Sequence, residues 1–121
     1  MIEKGISPPP LTPPTKDRGL WMAWEKWFKL LSDATARIRT YQVQFNPASI
    51  PANLTAEQTV TVNGLGTTDI VYVNKPGYTA GIGVVNARVS AANTLAVTFM
   101  NTTASPVDPP SELYKVVAIR L

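Results

Sequence analysis

The C-terminal two thirds of the chain alternates apolar and polar residues in short runs. Val60 and Val62 lie two residues apart, and Leu95, Val97 and Phe99 repeat that spacing. A period of two places such residues on one face of a β-strand. The alternation predicts six strands, at residues 40–45, 58–63, 69–74, 82–90, 94–100 and 113–121.

Turn sequences separate these predicted strands, among them Asn63-Gly64 and Lys75-Pro76-Gly77. Short strands with such turns between them are typical of a mainly β fold, a small antiparallel β-sandwich or a barrel-like knob. A domain this small buries only about 60% of the surface of its unfolded chain, so association with other chains would add burial. In the last predicted strand we expect one face to carry Leu113, Val117, Ile119 and Leu121.

Residues 19–39 follow a different period. Their apolar positions recur at spacings of four and three, which is the heptad pattern of a helix that packs against other helices. The seam of this predicted helix consists of Leu20, Trp24, Trp27, Leu31, Ala34 and Ile38. Trp21 and Phe28 lie beside the seam, seven residues apart. The apolar surface is therefore broader than a two-helix seam and favours three helices.

Three interpretations of this amphipathic helix stay open. It packs on its own β domain, it associates with copies of itself, or it lies on a membrane surface. Lys26 and Lys29 beside Trp, Phe and Leu fit an interfacial helix, whereas Glu25 and Asp33 on the polar side weaken that interpretation. We favour self-association into a homotrimer and expect no membrane partner.

The first 18 residues hold five of the eleven prolines of the chain. Proline fixes φ and lacks an amide hydrogen, which disfavours helix and central strand and favours an extended polyproline II segment. This arm is either a disordered tail or a peptide that docks into a groove on another protein. In the second interpretation the anchoring residues are Pro8, Pro9, Pro10, Leu11, Pro13 and Pro14, together with Trp21 and Phe28. The chain thus divides into an arm at 1–18, a helix at 19–39 and a β domain at 40–121.

The amino-acid composition excludes several kinds of catalytic and metal-binding site. The 121 residues include no histidine and no cysteine, which excludes Cys/His zinc sites, thiol nucleophiles, Ser-His-Asp triads and disulfides. Four carboxylates of the β region fall at predicted strand ends or loops and are interpreted as solvated turn residues: Glu57, Asp69, Asp108 and Glu112. We expect no catalytic residue, no cofactor and no metal, and hence no enzyme.

The net charge of +3 belongs to residues 1–39, because residues 40–121 hold equal numbers of Lys/Arg and Asp/Glu. The cations are interleaved with acids and do not form the basic stripe that nucleic acids require, so we expect no nucleic-acid partner. The start of the chain lacks a secretory signal pattern. The Asn-x-Thr sequons at Asn53 and Asn101 are therefore interpreted as accidental.

Three segments carry a resemblance to a known group of proteins. They are TVNGLGTTDIVYVNKP at 61–76, GVVNARVSAANTLAVTFMNTTA at 83–104 and PVDPPSELYKVVAIR at 106–120, of which VSAANT at 89–94 is the most specific. Residues 58–120 resemble a small β domain that recurs in virion proteins of tailed bacteriophages. The resemblance implies a structural protein without catalysis, commonly a homotrimer, found in head fibres, capsid decoration proteins and tail fibre or adaptor proteins.

The sequence therefore leads to two hypotheses. In the first, the chain is made in the host cytoplasm and joins the virion as a homotrimeric head fibre or capsid decoration protein. Its arm and helix then bind the major capsid protein or another virion protein. In the second, it is a tail fibre, an adaptor or a module that binds host-surface carbohydrate, with an exposed aromatic platform of Tyr72, Tyr78 and Tyr114.

Overall fold

The computed structural model describes residues 18–121, and within that range the side chains of residues 22–34 and 36–121. One helix precedes six strands. The bounds are α1 Arg18–Ala36, β1 Ile38–Phe45, β2 Thr55–Thr61, β3 Ile70–Asn74, β4 Ile82–Ala91, β5 Thr94–Asn101 and β6 Glu112–Ile119. The chain divides after Ile38 into two compact units, which we call the helical unit and the β domain.

Two three-stranded antiparallel sheets form the β domain, in the orders β1-β6-β3 and β2-β5-β4. The β3–β6 register runs from Ile70 opposite Ile119 to Asn74 opposite Lys115. β4 and β5 form a hairpin with two irregularities in its register. The predicted mainly β, sandwich-like fold is confirmed.

The inner faces of both sheets meet in one hydrophobic core. At its centre the rings of Phe45, Phe99 and Tyr114 contact one another, with centroids 5.3 to 6.4 Å apart. Alternate residues of the strands and three loop residues complete the core: Ile50, Val62, Leu65, Val71, Val89, Leu95, Val97, Val116 and Ala118. Every member belongs to the β domain, so this unit closes its core with its own residues.

Leu113, Val117 and Ile119 share one face of β6, as predicted, and it is the outer face. Tyr114, Val116 and Ala118 point inward, whereas Leu113 is 45% exposed and Leu121 is 84% exposed. A shift of one residue exchanges the two faces of a strand. The observed register places Tyr114 against Phe45 and Phe99 in the core.

The helix ends earlier than its heptad spacing predicts. α1 stops at Ala36, and Ile38 is the first residue of β1 rather than the last of the helical seam. From this residue onward, exposed and less exposed side chains alternate through Phe45. Pairing with β6 gives this segment backbone hydrogen bonds along a full strand, and that tertiary contact prevails over the local helical spacing.

The strand directions give the β domain two ends. At the first, which we call the Asp69 end, β1 begins and β6 stops beside the 62–69 loop and the turn at 92–93. At the second, the Asn101 end, lie the loops at 46–54, 75–81 and 102–111.

Candidate binding surfaces

One side of α1 carries an aromatic face, made of Trp24, Trp27, Phe28 and Leu31. The ring of Phe28 lies 5.2 Å from that of Trp24 and 5.2 Å from that of Trp27, and the second pair meets edge to face. Phe28 is 50% exposed, and the other three are half-buried. The indole N–H groups of both tryptophans donate to no acceptor among the described residues. Both indole nitrogens are buried, so the exposed part of this face is apolar. A cluster of large aromatic side chains is typical of a binding surface.

The predicted seam is only partly described. Trp24, Trp27, Leu31 and Ala34 are all half-buried, which is consistent with one stripe. Leu20 and Trp21 lie in α1, but their side chains are outside the described set. The anchoring residues predicted in the arm all lie outside the described residues: Pro8, Pro9, Pro10, Leu11, Pro13 and Pro14.

Two large apolar side chains of α1 lie outside the predicted seam. Met22 and Leu30 are exposed, and neither belonged to the predicted seam. Across the described residues, no helix is long and apolar enough to span a membrane.

At the Asp69 end, a buried carboxylate binds two arginines. Arg120 donates to both oxygens of Asp69, from Nε to Oδ1 at 2.7 Å and from Nη2 to Oδ2 at 2.9 Å. Arg39 Nη2 and the Gly66 amide also donate to Oδ2, at 3.1 and 2.9 Å. The hydrogen bonds from Arg120 and then from Gly66 lower the pKa of Asp69 to about 2. The prediction that Asp69 is a solvated turn residue was wrong, because its side chain is fully buried.

The same two arginines hold the neighbouring loop. Arg39 Nη1 and Arg120 Nη2 donate to the carbonyl of Gly64, at 3.2 and 3.3 Å. Gly64 has a φ of +105°, and a Cβ there would lie 2.9 Å from the hydroxyl of Tyr41. Its amide donates to Oδ1 of Asn93, in the β4–β5 turn, at 2.8 Å. These contacts tie the 62–69 loop to the turn and leave no face of the Asp69 carboxylate free for a substrate.

At the Asn101 end the loops are tied by an uncharged side chain. Asn101 is 1% exposed. Its Nδ2 donates to the carbonyls of Ile50 and Ser105, and its Oδ1 accepts from the amide and the hydroxyl of Thr103. Its backbone amide donates to Leu54 O at 3.0 Å. The sequon at this residue therefore has a structural reason, since an asparagine is needed to join two loops to β5.

A buried lysine holds the 75–81 loop at the same end. Lys75 Nζ donates to Gly77 O at 2.6 Å and to Thr79 Oγ1 at 2.9 Å, and it forms an ion pair with Glu112 at 2.9 Å. Both charged side chains are largely buried, at 8% and 15% exposure. Tyr78, between the two held residues, is 91% exposed. The loop thus holds an aromatic ring out in solvent on a fixed backbone.

The predicted platform of three tyrosines is not formed. Tyr78 is exposed on the loop, Tyr72 is 63% exposed on β3, and Tyr114 is fully buried. The hydroxyl of Tyr114 has no hydrogen-bond partner among the described residues. Its burial and, to a smaller degree, the charge of Glu112 raise the pKa of Tyr114 to about 12.

The outer faces of the two sheets differ in chemistry. On the β2-β5-β4 sheet, Arg88 donates two hydrogen bonds of 2.8 Å to Glu57 across the central strand, and these bonds lower the pKa of the glutamate. Glu57 was predicted to be a turn residue but lies within β2. The neighbours on this face include four threonines: Thr55, Thr59, Thr61 and Thr98. Met100, which is 38% exposed, lies on the same side of β5 as Thr98.

The corresponding surface of the other sheet is a β3–β6 apolar face, made of Ile70, Tyr72, Val117 and Ile119. Ile70 lies opposite Ile119 and Tyr72 opposite Val117 in the register of the two strands. Ile70 is 43% exposed. The sequence placed Val117 and Ile119 on one face, but only the register of β3 with β6 places Ile70 and Tyr72 beside them.

No described group of three His, Cys, Asp or Glu side chains could hold a metal ion. No protein-family model, no curated protein and no solved structure matches the chain.

Proposed function

We propose that this chain is a structural protein of a bacteriophage virion, a homotrimeric head fibre or capsid decoration protein without enzymatic activity. Its N-terminal part binds the particle and the β domain projects from it. The observation that carries the proposal is the α1 aromatic face, in which the ring of Phe28 contacts those of Trp24 and Trp27 while Phe28 stays half exposed.

Two further observations support separate roles for the N-terminal part and the β domain. The β domain closes its core with its own residues, and α1 belongs to a separate unit. At each end of the β domain a carboxylate holds a loop through a basic residue, Asp69 through Arg120 and Glu112 through Lys75. These charges stabilise the fold. Tryptophan and other large aromatics dominate the binding energy of protein interfaces, so the α1 aromatic face suits a contact with the capsid or another virion protein.

The test uses the full chain and phage particles from which the gene has been deleted. We expect Trp24→Ala/Trp27→Ala/Phe28→Ala to weaken binding to these particles by about 100-fold or more. The matched control is Glu25→Ala/Lys26→Ala/Lys29→Ala, which changes three exposed residues of the same helix. It is expected to bind nearly as the wild type does. Equal binding by both variants, or absence of the protein from purified wild-type particles, would reject the proposal.

One observation favours a second function, a tail fibre or adaptor module that binds host-surface carbohydrate. Tyr78 is 91% exposed on a loop that Lys75 holds on both sides. A fixed backbone lowers the entropy lost when an exposed aromatic ring binds. A screen against neutral oligosaccharides would support this function if binding is lost in Tyr78→Ala and kept in Tyr72→Ala. A screen without hits would reject it.

A further inference from the structure

The turn that follows β2, at the Asp69 end, contains an exposed Asn-Gly pair. Of the asparagines in the sequence, only Asn63 is followed by glycine. Across the turn, the Leu65 amide donates to the Val62 carbonyl at 3.4 Å, and Gly64 has a φ of +105°. A turn with a positive φ at its third residue favours glycine at that position. The fold therefore requires Gly64, and both residues of the pair are exposed to water.

An exposed Asn-Gly pair can lose ammonia without an enzyme. The Gly64 nitrogen attacks Cγ of Asn63, a bond forms between these two atoms, and the Cγ–Nδ2 bond breaks. The amide proton of Gly64 leaves with the side-chain nitrogen as ammonia, and a five-membered succinimide remains. Water then opens the ring at Cγ to give aspartate or at the backbone carbonyl of Asn63 to give isoaspartate. Glycine favours the attack because it has no Cβ to hinder its nitrogen.

Asn93, in the β4–β5 turn, holds the nitrogen that has to react. Its Oδ1 accepts from the Gly64 amide at 2.8 Å. Its backbone carbonyl accepts from the Val62 amide, and its backbone amide donates to the Leu65 carbonyl, both at 2.9 Å. Attack on Asn63 requires the Gly64 nitrogen to give up its proton and to turn toward the neighbouring side chain. Both changes break the hydrogen bond to Asn93.

The product of the reaction would change the contacts of Gly64. Its carbonyl accepts from Arg39 Nη1 and Arg120 Nη2, at 3.2 and 3.3 Å, so both backbone groups of this glycine are held. Isoaspartate adds one carbon to the backbone before Gly64 and leaves a carboxylate outside it. The longer backbone shifts Gly64 relative to Asn93 and to the two arginines, and the 62–69 loop loses hydrogen bonds.

We propose that Asn63 is a site of spontaneous deamidation and that the side chain of Asn93 slows the reaction in the folded protein. The co-reactant is water, and the product is a β domain in which the 62–69 loop is less firmly held. The inference concerns the β domain alone and does not depend on a role in a virion.

The first experiment incubates the full chain at neutral and at mildly alkaline pH and follows aspartate and isoaspartate at residue 63 by peptide mapping with mass spectrometry. Asn93→Gly removes Oδ1 but tolerates the φ of 60° at this position. Asn93→Asp keeps an acceptor there. We expect Asn93→Gly to react about 2- to 10-fold faster than the wild type, which corresponds to the loss of one hydrogen bond. Asn93→Asp should react no faster than the wild type.

A measurement in concentrated urea provides the reference rate without tertiary contacts. There the wild type and Asn93→Gly should deamidate at the same rate, and faster than either does when folded. Folded Asn93→Gly should stay below this rate. If it reached the unfolded rate, the whole turn would be lost in the variant, and control by a single hydrogen bond would be rejected.

Two further results would overturn the inference. Asn86 is an exposed asparagine followed by alanine, and it serves as the internal control. If residue 63 gives no more product than Asn86 in the wild type and in Asn93→Gly, Asn63 is not a deamidation site. If residue 63 reacts equally fast in both folded proteins, Asn93 does not control the rate.

The effect on the loop is tested with aged protein. Asn63→Gln is the control, because a glutamine would have to close a larger ring and therefore reacts much more slowly. We expect the urea midpoint of the wild type to fall as residue 63 is converted and that of Asn63→Gln to stay constant over the same time. A fully converted wild type with an unchanged midpoint would show that the 62–69 loop is not loosened.

Discussion

The two ends of the β domain are closed by different chemistry. At the Asp69 end, one buried carboxylate accepts hydrogen bonds from two arginines that are 31% and 46% exposed. At the Asn101 end, the amide of a fully buried asparagine joins two loops to β5. The Asp69 contacts depend on charge and on partners that water reaches, whereas the hydrogen bonds of Asn101 are neutral. The Asn101 end also holds an ion pair, Lys75–Glu112, but both of its side chains are largely buried.

This difference indicates how each end contributes to stability. Hydrogen bonds to partly exposed charges are screened by solvent and respond to pH. Buried neutral hydrogen bonds do neither, and loss of one partner leaves the other unsatisfied. We therefore expect the hydrogen bonds of Asn101 to contribute more to the free energy of unfolding and the Asp69 carboxylate to make that free energy depend on acid.

The largest effect is expected for Asn101→Ala. The substitution removes two donated and two accepted hydrogen bonds in a buried site. The free energy of unfolding should fall by about 3 kcal/mol, with no dependence on pH between 4 and 9. Urea unfolding monitored by circular dichroism at several pH values measures this loss. Asn86→Ala, at an exposed position of β4, is the control, and an equal loss in both variants would contradict a special role for Asn101.

A smaller effect is expected for Asp69→Asn. The variant leaves Arg39 and Arg120 without their counter-charge, and we expect a loss of about 1–2 kcal/mol at pH 7, reduced by the exposure of both partners. The pKa of Asp69 lies below the value of 3.8 for an unperturbed aspartate. The stabilisation is therefore present above about pH 4 and lost as the pH falls toward 2.

Unfolding curves at several pH values check this prediction. The difference in the free energy of unfolding between the wild type and Asp69→Asn should decrease steadily as the pH falls. Asp108→Asn, at an exposed loop position, should show no such trend. A difference that stays constant down to pH 2 would mean that the carboxylate contributes by packing rather than by charge.

Tyr114→Phe tests how the stability of the β domain depends on alkaline pH. The pKa of Tyr114 is raised from 10.0 to about 12, so folding favours the neutral phenol. The stabilisation is complete below pH 10 and is lost as the pH rises toward 12. We expect the variant to resist alkali better than the wild type. At pH 7 it should differ by less than about 1 kcal/mol, because the hydroxyl has no described hydrogen-bond partner. Tyr72→Phe, on the surface, should lose stability at alkaline pH as the wild type does. If Tyr114→Phe also lost stability in the same way, Tyr114 would not be the group responsible.

The smallest effect is expected for Glu57→Gln. The Glu57–Arg88 pair has good geometry but lies on the solvent side of its sheet, with side chains 36% and 56% exposed. Exposed ion pairs contribute little to stability. The unfolding midpoint should match that of the wild type within error at high salt and nearly so at low salt. A loss as large as that of Asp69→Asn would show that exposure does not separate the two ion pairs.

Much of the β fold could be predicted from the sequence. The alternation at Leu95, Val97 and Phe99 placed β5 within one residue of its bounds, because both sheets bury alternate positions. β2 was predicted to begin at residue 58 but starts at Thr55. Its first three residues, Thr-Ala-Glu, carry no large apolar side chain and become strand through pairing with Thr98 to Met100.

The candidate surfaces were predicted less completely. The α1 aromatic face follows from the spacing of Trp24, Trp27 and Leu31, which a helix places on one side. The roles of Asp69 and Lys75 could not be predicted, because their partners lie far along the chain or in a loop whose path the sequence does not give. The β3–β6 apolar face needs the register of two strands that are separated by about 40 residues.

The sequence by itself determined the local features of this protein: a helix with one aromatic side, six short strands and the turns between them. These features depend on periodicity and on backbone preferences, which act between residues close in the chain. Only the tertiary structure decided where α1 gives way to β1, which side of β6 is buried and which charges share a site. Those outcomes depend on contacts between distant segments, whose combined burial exceeds any local preference.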